Sequence, residues 1–295
     1  MEIIDGKKVS EDIYSALKSE VDSIKAAGGK VPHLAAVLVG NNPASQTYVA
    51  AKVKACEQVG YGSTLIKLDA DTTEDVLLKT IHELNNNADI DGFIVQLPLP
   101  AHIDENKITQ AIAPNKDVDG FHPTNLGRMV LNLPAYLPAT PFGIVKLLEA
   151  YQIPTLGKHC VVIGRSHIVG SPMSILLARN SNPGNCTVTL CHSRSADLSH
   201  HTRQADIIIL AIGKPYFLKK EMIKEGAVVI DVGISRVEST TTKSGFKLAG
   251  DADYEDIAEK CSYITPVPGG VGPMTIASLM YNTLLACRKE IYPAS

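Results

Sequence analysis

The 295-residue chain lacks several features that would each define a class of protein. It has no long basic block and a net charge of −3, which argues against nucleic acid as the main partner, since such a partner calls for a basic stripe. It has no apolar run near the roughly 20 residues of a membrane span. It has no basic start followed by an apolar stretch, so no signal peptide is expected, and the cytoplasm (or an organelle matrix after processing) is the expected compartment. It has no GxxxxGK[ST] phosphate loop, which disfavours nucleotide-driven ligation. Its six cysteines include no CxxC pair, so no zinc ribbon or redox motif is visible, and a disulfide framework is not expected. Cys191-His192 with His200-His201 reads as a strand end followed by a polar surface helix; no metal site is assigned.

What is present is ordinary for a soluble globular protein: 45% hydrophobic and 20% charged residues, in a length that suits one large or two ordinary domains. Strand and helix patterns alternate. Val9, Ile13, Leu17, Val21 and Ile24 recur at helical spacing up to Gly28-Gly29. Leu34-Ala35-Ala36-Val37-Leu38-Val39 reads as a strand buried on both faces. A helix through Tyr48 and Lys52, a strand at 65–68, a helix at 74–84 and a strand at 93–96 follow. Residues 117–141, with prolines at 123, 134, 138 and 141, read as loop. A helix at 142–150 leads into a second unit, with strands at 160–163, 187–190, 207–210 and 228–230. Residues 243–247 read as a polar hairpin tip or loop. A closing amphipathic helix carries Ile276, Leu279, Met280, Thr283, Leu284 and Cys287, with Pro273 near its first turn. The expectation is an α/β fold of two domains, 1–140 joined by the terminal helix 273–295, and 141–272, the second a Rossmann-like, doubly wound parallel sheet. No sequence repeat relates the two.

Gly164-Arg165-Ser166-His167-Ile168-Val169-Gly170-Ser171-Pro172 follows a buried strand and opens a helix. It is not GxGxxG, but the context would aim backbone N–H groups and a helix N-terminus at a pyrophosphate. A purely structural turn is the alternative. NAD sites place an acid after the next strand. Here Leu190-Cys191-His192-Ser193-Arg194-Ser195 has none before Asp197, whereas Arg165, Ser193 and Arg194 suit a 2′-phosphate, so NADP is favoured over NAD.

In the first unit, Tyr48 and Lys52 are four apart and share a helix face. Gln96 ends an apolar strand, where ligand crevices of parallel sheets lie. Asp117 and Asp119 occupy a loop, with Asx turns as the plainer explanation. An exposed lysine and a capped strand end are the plainer explanations of Lys52 and Gln96.

Taken together, Tyr48-x-x-x-Lys52, Gly92-Phe93-Ile94-Val95-Gln96-Leu97-Pro98-Leu99-Pro100, Lys116-Asp117-Val118-Asp119-Gly120, the glycine loop and Pro266-Val267-Pro268-Gly269-Gly270-Val271-Gly272-Pro273-Met274-Thr275 stand in one order. In that arrangement the chain resembles the bifunctional methylenetetrahydrofolate dehydrogenase/methenyltetrahydrofolate cyclohydrolase family over essentially its whole length. The resemblance implies a folate-binding catalytic domain and an NADP domain, NADP⁺-dependent oxidation of 5,10-methylenetetrahydrofolate, and hydrolysis of the methenyl product to 10-formyltetrahydrofolate. It implies Lys52 as the key cyclohydrolase residue and Gln96 as its partner. Tyr48 would stack on the aminobenzoyl ring and Asp119 would anchor the pterin. Pro268, Gly269 and Gly272 would line the folate site, and Gly164, Arg165, Ser166, Ser193, Ile234 and Thr275 would contact the cofactor. It also implies a homodimer. Intact Tyr48, Lys52, Gln96 and Asp119 argue against a dehydrogenase without hydrolase activity, and a non-catalytic NADP-binding sensor would leave the first-unit residues unexplained. Ala139 stands where some relatives have cysteine, so no reactive thiol is expected there.

Overall fold

The computed structural model describes residues 1–240, 242 and 245–293. Among the described residues eleven strands carry the fold: β1 Glu2–Ile3, β2 His33–Val39, β3 Gly62–Leu68, β4 Gly92–Val95, β5 His159–Ile163, β6 Thr187–Cys191, β7 Ile207–Leu210, β8 Ala227–Asp231, β9 Ser235–Glu238, β10 Phe246–Ala249 and β11 Cys261–Ile264. The chain divides into two compact units. Met1–Ser10 belongs with Thr140–Thr275, and Glu11–Ala139 with Ile276–Ser295.

The unit built on Glu11–Ala139 holds a three-stranded sheet in the order β3-β2-β4, with parallel pairing throughout. Leu34 to Val39 are all buried, as a central strand covered on both faces requires. The chain passes from β2 to β3 on one side and returns to β4 on the other, so the sheet reverses winding beside β2. Crevices open beyond the carboxyl ends at such a point. One face packs on a core that includes Leu17, Val21, Val49, Cys56, Leu279, Met280 and Leu284, and the other on Leu77, Ile81, Phe93 and Ile108. The terminal helix Val271–Cys287 is locked there by the Tyr61 hydroxyl, which donates to the Met280 carbonyl at 3.0 Å.

The other unit holds a six-stranded sheet, β1-β11-β8-β7-β5-β6, parallel at every pairing. From β5 the chain goes to β6 on one side and then back to β7 on the other. This is the Rossmann-like, doubly wound arrangement expected from the alternation of elements, with its switch point between β5 and β7.

Four details differ from the sequence reading. Residues 1–10 group with the second unit because β1 adds to the edge of its sheet beside β11, a pairing of two residues that is too short to leave a periodic signal. The stretch read as loop contains the helix Pro123–Val130, in which Pro123 occupies the first turn, where its missing N–H costs nothing. The helix expected at 142–150 spans Ala139–Ala150. Of the polar tip placed at 243–247, residues 243 and 244 lie outside the described residues. Phe246 and Lys247 begin β10, which pairs antiparallel with β9.

Candidate active site

The sequence-derived site residues fall into two sets, one in each unit. The first is set by the helix Pro43–Val59. Asn42 caps it by accepting from Ala44 N and Ser45 N, and Pro43 fills its first position. Its buried residues Ser45, Val49, Lys52, Cys56 and Val59 form one stripe at spacings of three and four. Lys52 therefore occupies a core-facing position and is only 8% exposed, unlike the solvated helix lysine of the plainer reading. Tyr48, one turn earlier, borders the stripe and stays 39% exposed, with no hydrogen-bond partner for its hydroxyl among the described residues.

The Lys52 ammonium finds one neutral acceptor. Nζ donates to Gln96 Oε1 at 3.0 Å. Gln96 lies one residue beyond β4, its N–H still donating to the Val37 carbonyl at 2.9 Å. Its Nε2 donates to the Leu97 carbonyl at 2.7 Å, which turns Oε1 toward the lysine. The amide is thus oriented by the backbone of the strand end it terminates.

The segment through Asp117 lies alongside β4, with a parallel bridge between Phe93 and Asp117 and the Phe93 N–H donating to the Lys116 carbonyl at 3.0 Å. The two acids there have different fates. Asp117 is buried and accepts from His122 N at 2.8 Å, Phe121 N at 3.3 Å and Asn125 Nδ2 at 2.9 Å. It shapes the turn, as the Asx reading expects, and burial raises its pKa to about 7. Asp119 instead interacts electrostatically with Lys52. Burial pushes the lysine below its ordinary value, with the Asp119 charge opposing. Burial likewise pushes Asp119 above the usual carboxylate range, with Lys52 opposing. The result is a buried amine whose charged form is disfavoured, aimed by an amide and moderated by one carboxylate.

Sequence reasoning missed Asn282 on the terminal helix. It is buried, and its Nδ2 donates to the carbonyls of Val118 at 2.9 Å and Leu137 at 3.0 Å, fixing the backbone next to Asp119. The signal available was an asparagine among the core-facing positions Leu279, Met280, Thr283 and Leu284.

The second set surrounds the end of β5. Gly164 has φ +118°, and a Cβ there would collide with the Ala211 carbonyl; a Cβ on Gly170 would collide with the Gly164 carbonyl. Backbone approaches this closely only where side chains are absent. Ser166 Oγ accepts from Val169 N at 3.1 Å, and the helix Gly170–Ala178 begins there. The N–H groups of Arg165, His167 and Ile168 have no acceptor among the described residues. A tight turn with outward N–H groups at a helix N-terminus beside a switch point fits a dinucleotide pyrophosphate. After β6, Ser193 and Arg194 are exposed in a turn held by the Ser195 N–H, which donates to the His192 carbonyl at 2.9 Å. Asp197, the first acid in that stretch, is engaged as a helix cap, accepting from His200 N at 3.0 Å. Arg165 and Arg194 are exposed and form no ion pair among the described residues. Ile234, after β8, is 42% exposed. Thr275 Oγ1 lies 3.0 Å from Thr140 Oγ1. Of the loop 268–272, Gly269 has φ +110° and its carbonyl accepts from the Lys7 N–H at 3.0 Å. Among the described residues no group of three metal-ligating side chains is assembled, and no helix is long and apolar enough to cross a membrane.

Fold and site define a class: a two-unit α/β enzyme that pairs a dinucleotide cradle with a separate buried-amine site. The model of the tetrahydrofolate dehydrogenase/cyclohydrolase catalytic domain matches residues 4–119, and that of the family's NAD(P)-binding domain matches 138–291. The chain is 65% identical over 286 residues to the bifunctional protein FolD of Cytophaga hutchinsonii, covering 97% of this chain and 99% of that protein. Among solved structures it resembles the bifunctional FolD methylenetetrahydrofolate dehydrogenase/cyclohydrolase of Campylobacter jejuni (48% identity, TM-score 0.92, 98% and 99% of the two chains). It also resembles the Trypanosoma brucei enzyme complexed with NADP cofactor and inhibitor (35% identity, TM-score 0.92, 99% and 98%). The chain belongs to the tetrahydrofolate dehydrogenase/cyclohydrolase family.

Proposed function

We propose that this chain oxidises 5,10-methylenetetrahydrofolate to the 5,10-methenyl cation with NADP⁺ and then hydrolyses the cation to 10-formyltetrahydrofolate, with Lys52 serving the second step. The observation that carries the assignment of Lys52 is its burial on the core-facing stripe of its helix with Gln96 Oε1 as hydrogen-bond partner.

The cofactor, held at the turn Gly164-Arg165-Ser166, supplies the hydride acceptor. Losing hydride from the methylene carbon moves no proton, so this chain's residues contribute position and orientation to that step. Tyr48 offers an exposed ring for stacking on the aminobenzoyl group, Asp119 a carboxylate for the pterin, and Pro268, Gly269 and Gly272 a backbone wall for the folate. Arg165, Ser193 and Arg194 read the 2′-phosphate, while Ile234 and Thr275 complete the cofactor set. The absence of any acid between β6 and Asp197 supports NADP over NAD, because no carboxylate directly follows the strand to accept from a ribose hydroxyl.

Hydrolysis is different. Water adds to the methenyl carbon, the ring opens and one proton is released. A neutral amine is the base that takes it. Burial already disfavours the Lys52 ammonium, and a cationic substrate beside it disfavours that form further. Gln96 Oε1 accepts one N–H of the amine and so directs its lone pair away from the amide. A homodimer and a cytoplasmic setting belong to the same proposal, on the family resemblance.

The test is a coupled assay on purified protein with 5,10-methylenetetrahydrofolate and NADP⁺. NADPH should form with little methenyl species until acid recloses the 10-formyl product. Methenyl accumulating at the uncatalysed hydrolysis rate would leave a dehydrogenase only, and no NADPH would leave a cofactor-binding sensor.

A further inference from the structure

Two carboxylates that the proposed chemistry does not use are buried where the dinucleotide unit turns its strands over into loops. Asp231, at the end of β8, is 3% exposed, and Asp251, just after β10, is 0% exposed. No cation pairs with either among the described residues. Backbone N–H groups compensate them instead. Asp231 Oδ1 accepts from Gly233 N at 2.9 Å and Asp251 N at 3.0 Å, and its Oδ2 from Ala252 N at 2.8 Å. Asp251 Oδ2 accepts from Ile212 N at 2.8 Å and Gly213 N at 3.0 Å, while its Oδ1 has no partner among the described residues. Glycine clears space for both groups: a Cβ on Gly250 would collide with Asp231 Oδ2, and one on Gly233 with the Asp251 carboxylate.

As a stability device this pair is poor. It takes two carboxyl groups out of water side by side, with one oxygen unpartnered among the described residues, a cost that apolar residues of the same volume would not carry. What apolar residues cannot do is hold N–H groups from separate loops. The loops so held follow β7 and β8, neighbouring strands at the ligand-binding end of the sheet. The Ala211 carbonyl walls the Gly164 turn, and Ile234 follows directly on Gly233. A third loop joins them: the Asp231 N–H donates to Thr265 Oγ1 at 2.7 Å, and a Cβ on Gly272 would lie 3.4 Å from Ile234 Cδ1.

We infer that Asp231 and Asp251 are positioning residues for the dinucleotide, clamping the segments 211–213 and 232–234 at the separation the cofactor needs. This role rests on the reading that the Gly164 turn binds NADP⁺, and binding to the parent protein checks that reading separately.

The experiment is calorimetric titration of NADP⁺ into parent, Asp251→Ala, Asp251→Asn and Gly250→Ala proteins without folate. Hydrolysis of supplied methenyltetrahydrofolate and thermal midpoints are measured on the same samples. Asp251→Ala removes the acceptor of two N–H groups and should weaken NADP⁺ on the order of tenfold. Hydrolysis should stay within about twofold of the parent, since its residues lie in the other unit. Asp251→Asn keeps an accepting oxygen and should restore affinity to near the parent's. Gly250→Ala pushes on the Asp231 carboxylate and on the Val267 side chain, without touching segments 211–213 or 232–234 directly, and should weaken NADP⁺ as Asp251→Ala does. If Asp251→Ala does not fold, Gly250→Ala against Asp251→Asn decides. Unchanged NADP⁺ affinity in a folded Asp251→Ala or Gly250→Ala protein would overturn the inference. So would parallel loss of NADP⁺ binding and hydrolysis, which would make the pair a general support of the fold. A parent that binds no NADP⁺ would remove the cofactor reading and this role together.

Discussion

Lys52→Met separates the two activities. Methionine keeps the length of the side chain and removes its donor and its charge. In the parent, Nζ donates to Gln96 Oε1 at 3.0 Å from a site that is 8% exposed. Leaving that oxygen without a donor costs roughly 1–3 kcal/mol. Burying a methionine in place of the amine returns about 1.5–3 kcal/mol. The net change in stability is therefore small, and the variant should fold. Losing the base is another matter: a positioned general base is worth roughly 10²–10⁴-fold, or about 3–5 kcal/mol of barrier. The assay is the decay of 5,10-methenyltetrahydrofolate absorbance against the buffer background, run beside NADPH formation from the methylene substrate. Hydrolysis should fall to near background, while NADPH formation stays within about an order of magnitude because hydride loss requires no base. Equal loss of both activities in a folded variant would refute the division of labour, and so would hydrolysis that survives intact.

The same residue fixes the sign of the pH dependence. The neutral amine is the active form, and burial holds its pKa below the ordinary lysine value. Acidification protonates Nζ, so hydrolysis should fall on the acid side and rise with pH to a plateau. The stability sign follows from linkage. With a depressed folded pKa, the unfolded chain takes the proton first as pH falls. The cost to the fold thus begins below the ordinary lysine value and is complete once pH passes below the folded pKa. Lys52→Met should remove both effects, and a hydrolysis rate that climbs on acidification would contradict the assignment.

Asp119→Asn removes the charge that supports the Lys52 ammonium, so the acid limb of the hydrolysis profile should move to lower pH while the folate KM rises. An unmoved limb would mean that the two groups are uncoupled. Asp117→Ala strips three hydrogen-bond donors of their acceptor and should cost roughly 3 kcal/mol in urea unfolding. In the parent, burial raises Asp117 to about 7, so its contribution is full below the ordinary carboxylate value and is lost as pH rises through about 7. That part of the decline should be missing from Asp117→Asn. Arg165→Ala with Arg194→Ala should weaken NADP⁺ relative to NAD⁺ by at least about tenfold in paired titrations. Equal weakening would remove both arginines from 2′-phosphate recognition.

The fold was legible wherever apolar runs stood between clear punctuation. Leu34 to Val39, closed by Gly40, and Val161 to Ile163, running into Gly164, are both central strands, because a strand covered on both faces has little choice but continuous hydrophobicity. The two-residue β1 and the helix Pro123–Val130 were not legible. The first is too short for a period, and the second hides behind prolines that signal loop and helix start equally well. At the site, type and spacing flagged Lys52 and Gln96 as separate candidates, and only the family resemblance paired them. Burial of the lysine depends on the register of its helix against the sheet, and the contact depends on where β4 stops relative to β2.

Asp117 and Asp119 sharpen the point. They are two residues apart in one motif and indistinguishable by composition, yet one organises a turn through His122, Phe121 and Asn125 while the other acts on Lys52. In a straight strand, residues two apart would share a face. Here the Gly120 N–H donates to the Asp117 carbonyl at 3.1 Å, and the chain turns between the acids. Asn282, more than 160 residues away in sequence, holds the Val118 carbonyl between them at 2.9 Å. The separation of roles comes from a local turn that a tertiary contact braces, and the second half of that arrangement is not visible in the local sequence. Asp231 and Asp251 follow the same logic, since each is one acid among many until the fold closes three loops around them.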